Sequence, residues 1–119
     1  MSEKNKAIIE KVNAAFGRGD VEAFLAHCHD DFMWTMVGEQ PLRGKDAIRK
    51  FMAAGPKEPP KFTVNTVVAD GDFVIAQGDM TMTDAGATNA YAFCDMWRFD
   101  GDKIAELKAF VIKTQPATV

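Results

Sequence analysis

The residues best placed to do chemistry lie on one face of a single strand. Between positions 91 and 99 the alternate residues are Tyr91, Phe93, Asp95, Trp97 and Phe99. A two-residue period sets these five side chains on the same side of a sheet. Asp95 is the sole charge among four aromatic rings. Burying a bare carboxylate there is costly, so the group must be protonated, paired with a cation such as Arg43 or Arg49, or exposed in a cavity or at a subunit contact. A carboxyl kept neutral by aromatic neighbours donates a hydrogen bond to a ligand oxygen. Asp95 is therefore the candidate catalytic residue.

Other chemistry-bearing residues are read more plainly. His27, Cys28, His29, Asp30 and Asp31 run together like a metal cluster. On a helix, however, His27 and His29 point about 200° apart. A histidine beside a helix C-terminus accounts for them, and no metal site is expected. Cys28 and Cys94 are too few for a disulfide framework or a zinc site and read as small core fillers. Gln77, Asp79, Thr81 and Thr83 alternate with Ala76, Gly78, Met80 and Met82. The polar set is assigned to solvent, because Arg98, Glu106 and Lys108 in the neighbouring strands also look outward. Trp34, Met36, Phe51, Phe93 and Trp97 either fill the core or line a flat apolar site, and a buried indole N–H needs a partner in either case.

The elements that must position these residues change period part-way along. Residues 4–16 carry Ile8, Val12, Ala15 and Phe16 in a helical stripe, stopped by Gly17 and Gly19. Asp20 suits a helix N-cap, and Val21, Phe24, Leu25 and Cys28 share one face of a second helix that Asp30-Asp31 breaks. Residues 32–37 read as a short strand and 38–44 as a loop. Residues 45–54 read as a third helix with Ala47, Ile48, Phe51 and Met52 inward, ended by Gly55-Pro56. From Phe62 onward the period is two, which predicts strands over 62–68, 73–83, 90–99 and 103–114. Their short connections force antiparallel neighbours. Helices segregated from such a run give an α+β fold with helices on one face of a sheet, and a curled sheet capped by helices leaves a concavity.

At 119 residues the chain reads as one domain, 1–119, able to bury a core without staples. With 47% apolar and 26% charged residues it has the composition of a globular protein. A net charge of −3 with scattered basic residues points to neither nucleic acid nor an anionic membrane. No apolar run nears membrane-spanning length and the first residues lack the centre of a signal peptide, so a cytoplasmic location is expected.

Four segments resemble the NTF2-like superfamily. They are Gly19-Asp20-Val21-Glu22-Ala23-Phe24, Asp30-Asp31-Phe32-Met33-Trp34, the run from Gly44 to Phe51, and the run from Met96 to Ile104. The nearest branch is the SnoaL-like (polyketide-cyclase-like) and ketosteroid-isomerase-like proteins, and the resemblance covers almost the whole chain. It implies a cone of three N-terminal helices on a strongly curved, mostly antiparallel sheet in the order ααβαββββ, often in homodimers and with no cofactor. In the ketosteroid isomerases an aspartate base works with an oxyanion hole of tyrosine and protonated aspartate. The resemblance puts Asp95 at the protonated aspartate, Val12 at the tyrosine, and Thr35 or Met36 at the base. Against the limonene-type epoxide hydrolases the chain offers Gln77-Gly78-Asp79 and Ala109, without the arginine and the second aspartate. The polyketide-cyclase branch asks for one pocket aspartate acting as acid and base, which Asp95 matches by role.

Two functions follow. In one, Asp95 moves protons at carbon, as in an isomerase, cyclase or lyase. Val12, Phe16, Trp34, Met36, Phe51, Phe93, Trp97, Leu107 and Ala109 then surround an apolar, ring-shaped substrate. In the other, the chain is a non-catalytic ligand-binding or dimerisation module. Either way a homodimer is expected through the bare face of the sheet, with Met80, Met82, Phe110 and Ile112 as candidates to cover there.

Overall fold

A computed structural model describes residues 2–55, 59–84 and 86–114. Helix α1 spans Ser2–Gly17 and buries Ile9, Val12 and Ala15. The chain reverses at Gly19, whose φ of 72° suits a residue without a Cβ. Asp20 then caps helix α2, Val21–Leu25, by accepting a 3.1 Å hydrogen bond from the Ala23 amide. Strand β1, Cys28–Met36, is followed by the two-residue strand β2, Leu42–Arg43, and by helix α3, Lys45–Ala54. Four longer strands complete the order: β3, Lys61–Asp70; β4, Phe73–Asp84; β5, Ala87–Asp100; and β6, Lys103–Lys113.

The six strands form one open, curved sheet in the order β2-β1-β6-β5-β4-β3. Every pairing is antiparallel except β1 with β6, which is parallel. The helices lie on one face, and the core fills the gap: Ile9 and Val12 of α1, Phe24 and Leu25 of α2 and Ile48 of α3 pack on Phe32, Trp34, Val74, Trp97, Phe99, Ile104 and Leu107. The α+β class, the element order and the four late strands agree with the sequence reading.

Three local expectations change. The helix that begins at Val21 ends at Leu25, so Cys28 and both neighbouring histidines lie off it, and Asp30-Asp31 runs within β1 instead of breaking a helix. Its backbone is claimed by a remote partner: Cys28 pairs with Ile104 and Trp34 with Leu107. The loop at 38–44 holds the edge strand β2, whose Leu42 pairs with Trp34. The loop expected over 84–89 is largely strand, because β4 and β5 stay paired to Asp84 and Ala87. Pro56 lies outside the described residues.

Candidate functional site

Strand register places Asp95. On the helix-covered face, one row across the sheet reads Met36, Ala109, Asp95, Ala76 and Val67, from β1 through β6, β5 and β4 to β3. The row below reads Trp34, Leu107, Trp97, Val74 and Ala69, and the row above reads Val111, Phe93, Gly78 and Val64. Asp95 thus stands between two alanines, in a notch that larger side chains would fill. Nothing in these three rows carries a second ionisable side chain.

A one-residue bulge keeps it that way. The β5–β6 hairpin starts with Asp100 opposite Lys103, a register that would bring Lys108 opposite Asp95. The extra residue, Ala105, shifts the pairing, so Lys108 faces Met96 on the other side of the sheet and Ala109 faces Asp95. Among the described residues no hydrogen bond or ion pair reaches the half-buried Asp95 carboxyl, and burial alone pushes it up to about 7. The two arginines considered as partners are elsewhere. Arg49 bonds Glu22 and Asp46 on the helices, and Arg43 pairs in the row of Met33, Glu106 and Arg98 on the opposite face.

The candidate lining residues share this side of the sheet, at different depths. Val12 and Trp97 are fully enclosed, and Trp34, Phe93, Leu107 and Ala109 are buried. Phe16 and Met36 pack partly buried against the core. Phe16 stands edge-on to Trp34 at 5.8 Å, and Phe24 lies 6.4 Å from Trp34 and 6.2 Å from Trp97. Phe51, expected inward, is 46% exposed. It sits on the flank of α3 one step past the Ile48 stripe, with its ring edge-on to Trp34 at 5.6 Å. Thr35 faces away with Lys108, while Met36 shares the face of Asp95 with Ala109 between them. The indole nitrogens of Trp34 and Trp97 are enclosed with no hydrogen-bond partner among the described residues.

Two residues of this arrangement escaped the sequence reading. Ala76 completes the notch, and only the register of the turn between Asp84 and Ala87 could have pointed to it. Gly78 admits the Phe93 ring: a Cβ there would overlap the Thr63 carbonyl oxygen and come within 2.9 Å of Phe93 Cζ. The methionines needed correction. Met80 pairs with Tyr91 and Met82 with Asn89, so both share the face of Asp95 and not the bare one.

Two clefts open on the surface elsewhere. One of about 600 Å³ lies on the opposite face, among His29, Asp31, Met33, Arg43, Arg98 and Glu106. Another of about 470 Å³ runs between α1 and β3, past Asn13, Gly17 and Phe62. In the first, His29 Nε2 is 3.1 Å from the Asp100 carbonyl oxygen, and Arg98 donates to Glu106 at 3.4 Å. Among the described residues no group of three or more His, Cys, Asp or Glu side chains is placed to hold a metal ion. No helix among them is long and apolar enough to cross a membrane.

A profile of the SnoaL-like domain matches residues 9–107. The chain belongs to the SnoaL-like family. No curated protein matches it. Among solved structures, an NTF2-like protein of unknown function from Cytophaga hutchinsonii is 24% identical, with a TM-score of 0.74 over 89% of this chain and 97% of that one. A proposed ketosteroid isomerase from Kribbella flavida is 15% identical, with a TM-score of 0.82 over 99% and 84%. TerC, co-crystallised with polyporic acid, is 21% identical, with a TM-score of 0.78 over 89% and 89%. At these identities the likeness is one of fold. Val12, expected at the place of the isomerases' tyrosine, is enclosed, and of the two residues expected at the place of their base Thr35 faces outward and Met36 inward.

Proposed function

We propose that this SnoaL-like domain binds an apolar, ring-shaped small molecule over the Asp95 notch and that Asp95 moves a proton at one of its carbons. The observation that carries the reading is a carboxyl between Ala76 and Ala109 on the helix-covered face, without a partner among the described residues and pushed up to about 7 by burial. Near neutral pH such a group is present in both forms, the condition under which one residue serves as base and then as acid. It takes a proton from a carbon beside a carbonyl and returns it elsewhere on the same molecule, a net isomerisation. Cyclisation or elimination uses the same first step. The fold shared with TerC, which was crystallised with polyporic acid, supports a small-molecule ligand for this chain.

A second reading, a binding module without catalysis, is favoured by the absence of a second ionisable side chain in the rows around Asp95. Deuterium uptake by 2-tetralone in D₂O separates the two. Catalysis predicts exchange at the carbon beside the carbonyl well above the buffer rate, lost by roughly 10²-fold or more in Asp95→Asn, while the ketone still perturbs the Ala76 and Ala109 amides of both proteins. Equal exchange in wild type and Asp95→Asn, with those amides still perturbed, leaves the binding module.

The bare face of the sheet supports a homodimer. Phe110 is opposite Cys94 and Ile112 opposite Ala92 there, and the two large side chains are 37% and 68% exposed. With Val68, Ile75 and Met96 they make an apolar surface of the kind that marks protein contacts. Light scattering at micromolar concentration is expected to give twice the chain mass, and Ile112→Glu to give the monomer. A monomeric wild type removes this part of the reading.

A further inference from the structure

Trp34 holds a buried donor that no described residue of the chain uses. Its side chain is 8% exposed and its indole nitrogen is enclosed without a partner among the described residues. Native interiors leave few such donors, because each forfeits a hydrogen bond it made with water. Trp97 has the same deficit, but it is fully enclosed beneath the helices. Trp34 is nearer the surface. Its other neighbour on α3 is Phe51, which covers it with a ring already half out in solvent.

Trp34 and Asp95 sit on the same face, two strands and one row apart, with Leu107 and Ala109 between them. Strand spacing and rise put their Cα atoms about 12 Å apart, a span matched by a fused two-ring body with a substituent at each end. Both groups act as donors toward such a ligand, since an indole N–H cannot accept and a protonated carboxyl offers its O–H. The intervening side chains are apolar.

We propose that Trp34 is a ligand-binding residue, its N–H taking a second acceptor oxygen at the end of the ring system remote from Asp95. The substrate class is accordingly a flat apolar molecule with carbonyl-type oxygens at opposite ends. Phe51 swings off Trp34 to admit it. This inference rests on the reading of the Asp95 face as a ligand site.

Three probes of one shape test it: 2,6-diacetylnaphthalene, 2-acetylnaphthalene and 2,6-diethylnaphthalene, with two, one and no carbonyl acceptors. Indole N–H signals are followed by NMR and assigned with Trp34→Phe. The diacetyl compound should bind about tenfold tighter than the monoacetyl compound and move the Trp34 indole proton downfield. Trp34→Phe should erase that tenfold difference and keep monoacetyl binding. Should Trp34→Phe not fold, the wild-type indole shift decides alone. Equal affinity for the diacetyl and monoacetyl compounds, or an unmoved Trp34 indole signal in the bound state, overturns the role of Trp34 and leaves the site at Asp95 standing. Failure of all three to perturb the Ala76 and Ala109 amides overturns both.

Discussion

Asp95→Leu gains stability over the wild type as the pH is raised from 5 to 8. The cause is a carboxyl whose folded pKa, about 7, lies well above that of the unfolded chain, near the ordinary aspartate value. Between those values the native state holds the proton more often than the unfolded state, so stability falls as pH rises through the window and levels off above 7. The wild type should lose roughly 2–3 kcal/mol from this one group between pH 5 and pH 8. Leucine has no proton to lose and adds apolar contact in the notch. His27, held below its usual pKa chiefly by burial, works in the opposite direction in the same range. It is present in both proteins, so the difference between their urea unfolding curves isolates Asp95. A difference independent of pH, or a leucine variant less stable than wild type at pH 8, would show that Asp95 is held by a partner as an ordinary carboxylate.

Gly78→Ala is expected to be the most damaging small substitution in the sheet. The new methyl group would overlap the Thr63 carbonyl oxygen, which belongs to the backbone of the adjacent strand β3 and cannot turn aside. It would also push on the Phe93 ring, which lies over the glycine and meets Phe62 edge-on at 6.2 Å. An aromatic ring laid across a facing glycine makes good the packing that the missing side chain would have supplied. Forcing the two strands apart should cost about 3 kcal/mol or more, and the melting temperature should fall by roughly 10 °C or more. Ala76→Gly, in the same strand and on the same face, should cost less than half of that. A Gly78→Ala protein that melts within a few degrees of wild type would mean that β3 does not lie against Gly78.

The parts of this fold that the sequence disclosed are those fixed by near neighbours. Periods of 3.6 and two, with Asp-Gly-Asp turns, place α1, α3 and the four late strands to within a few residues. Asp95 also stands out locally, as one acid in an aromatic stripe. What stayed hidden depends on distant partners. The run from Cys28 to Asp31 becomes strand because β6 takes up its backbone, and no local pattern announces that. The faces of Met80 and Met82 follow from pairing with Tyr91 and Asn89. Ala105 is the sharpest case. Counting back from the Asp100–Lys103 pair sets Lys108 against Asp95 and predicts a salt bridge, and a single bulged alanine reverses the electrostatics of the site.

The parallel pairing of β1 with β6 also has a consequence for the birth of the chain. Met36 and Trp34 find their lasting partners in Ala109 and Leu107, which are made far later in the chain. Until the ribosome has delivered β6, strand β1 has no place in the sheet beyond its short hairpin with β2, and the helices have only part of the surface they cover. Contacts so widely separated along the chain carry a large loop-closure entropy and slow folding. Synthesis therefore leaves Phe32, Trp34 and the apolar faces of α1 and α2 open to chaperones until β6 emerges, and the sheet completes itself when that strand slides in beside β1.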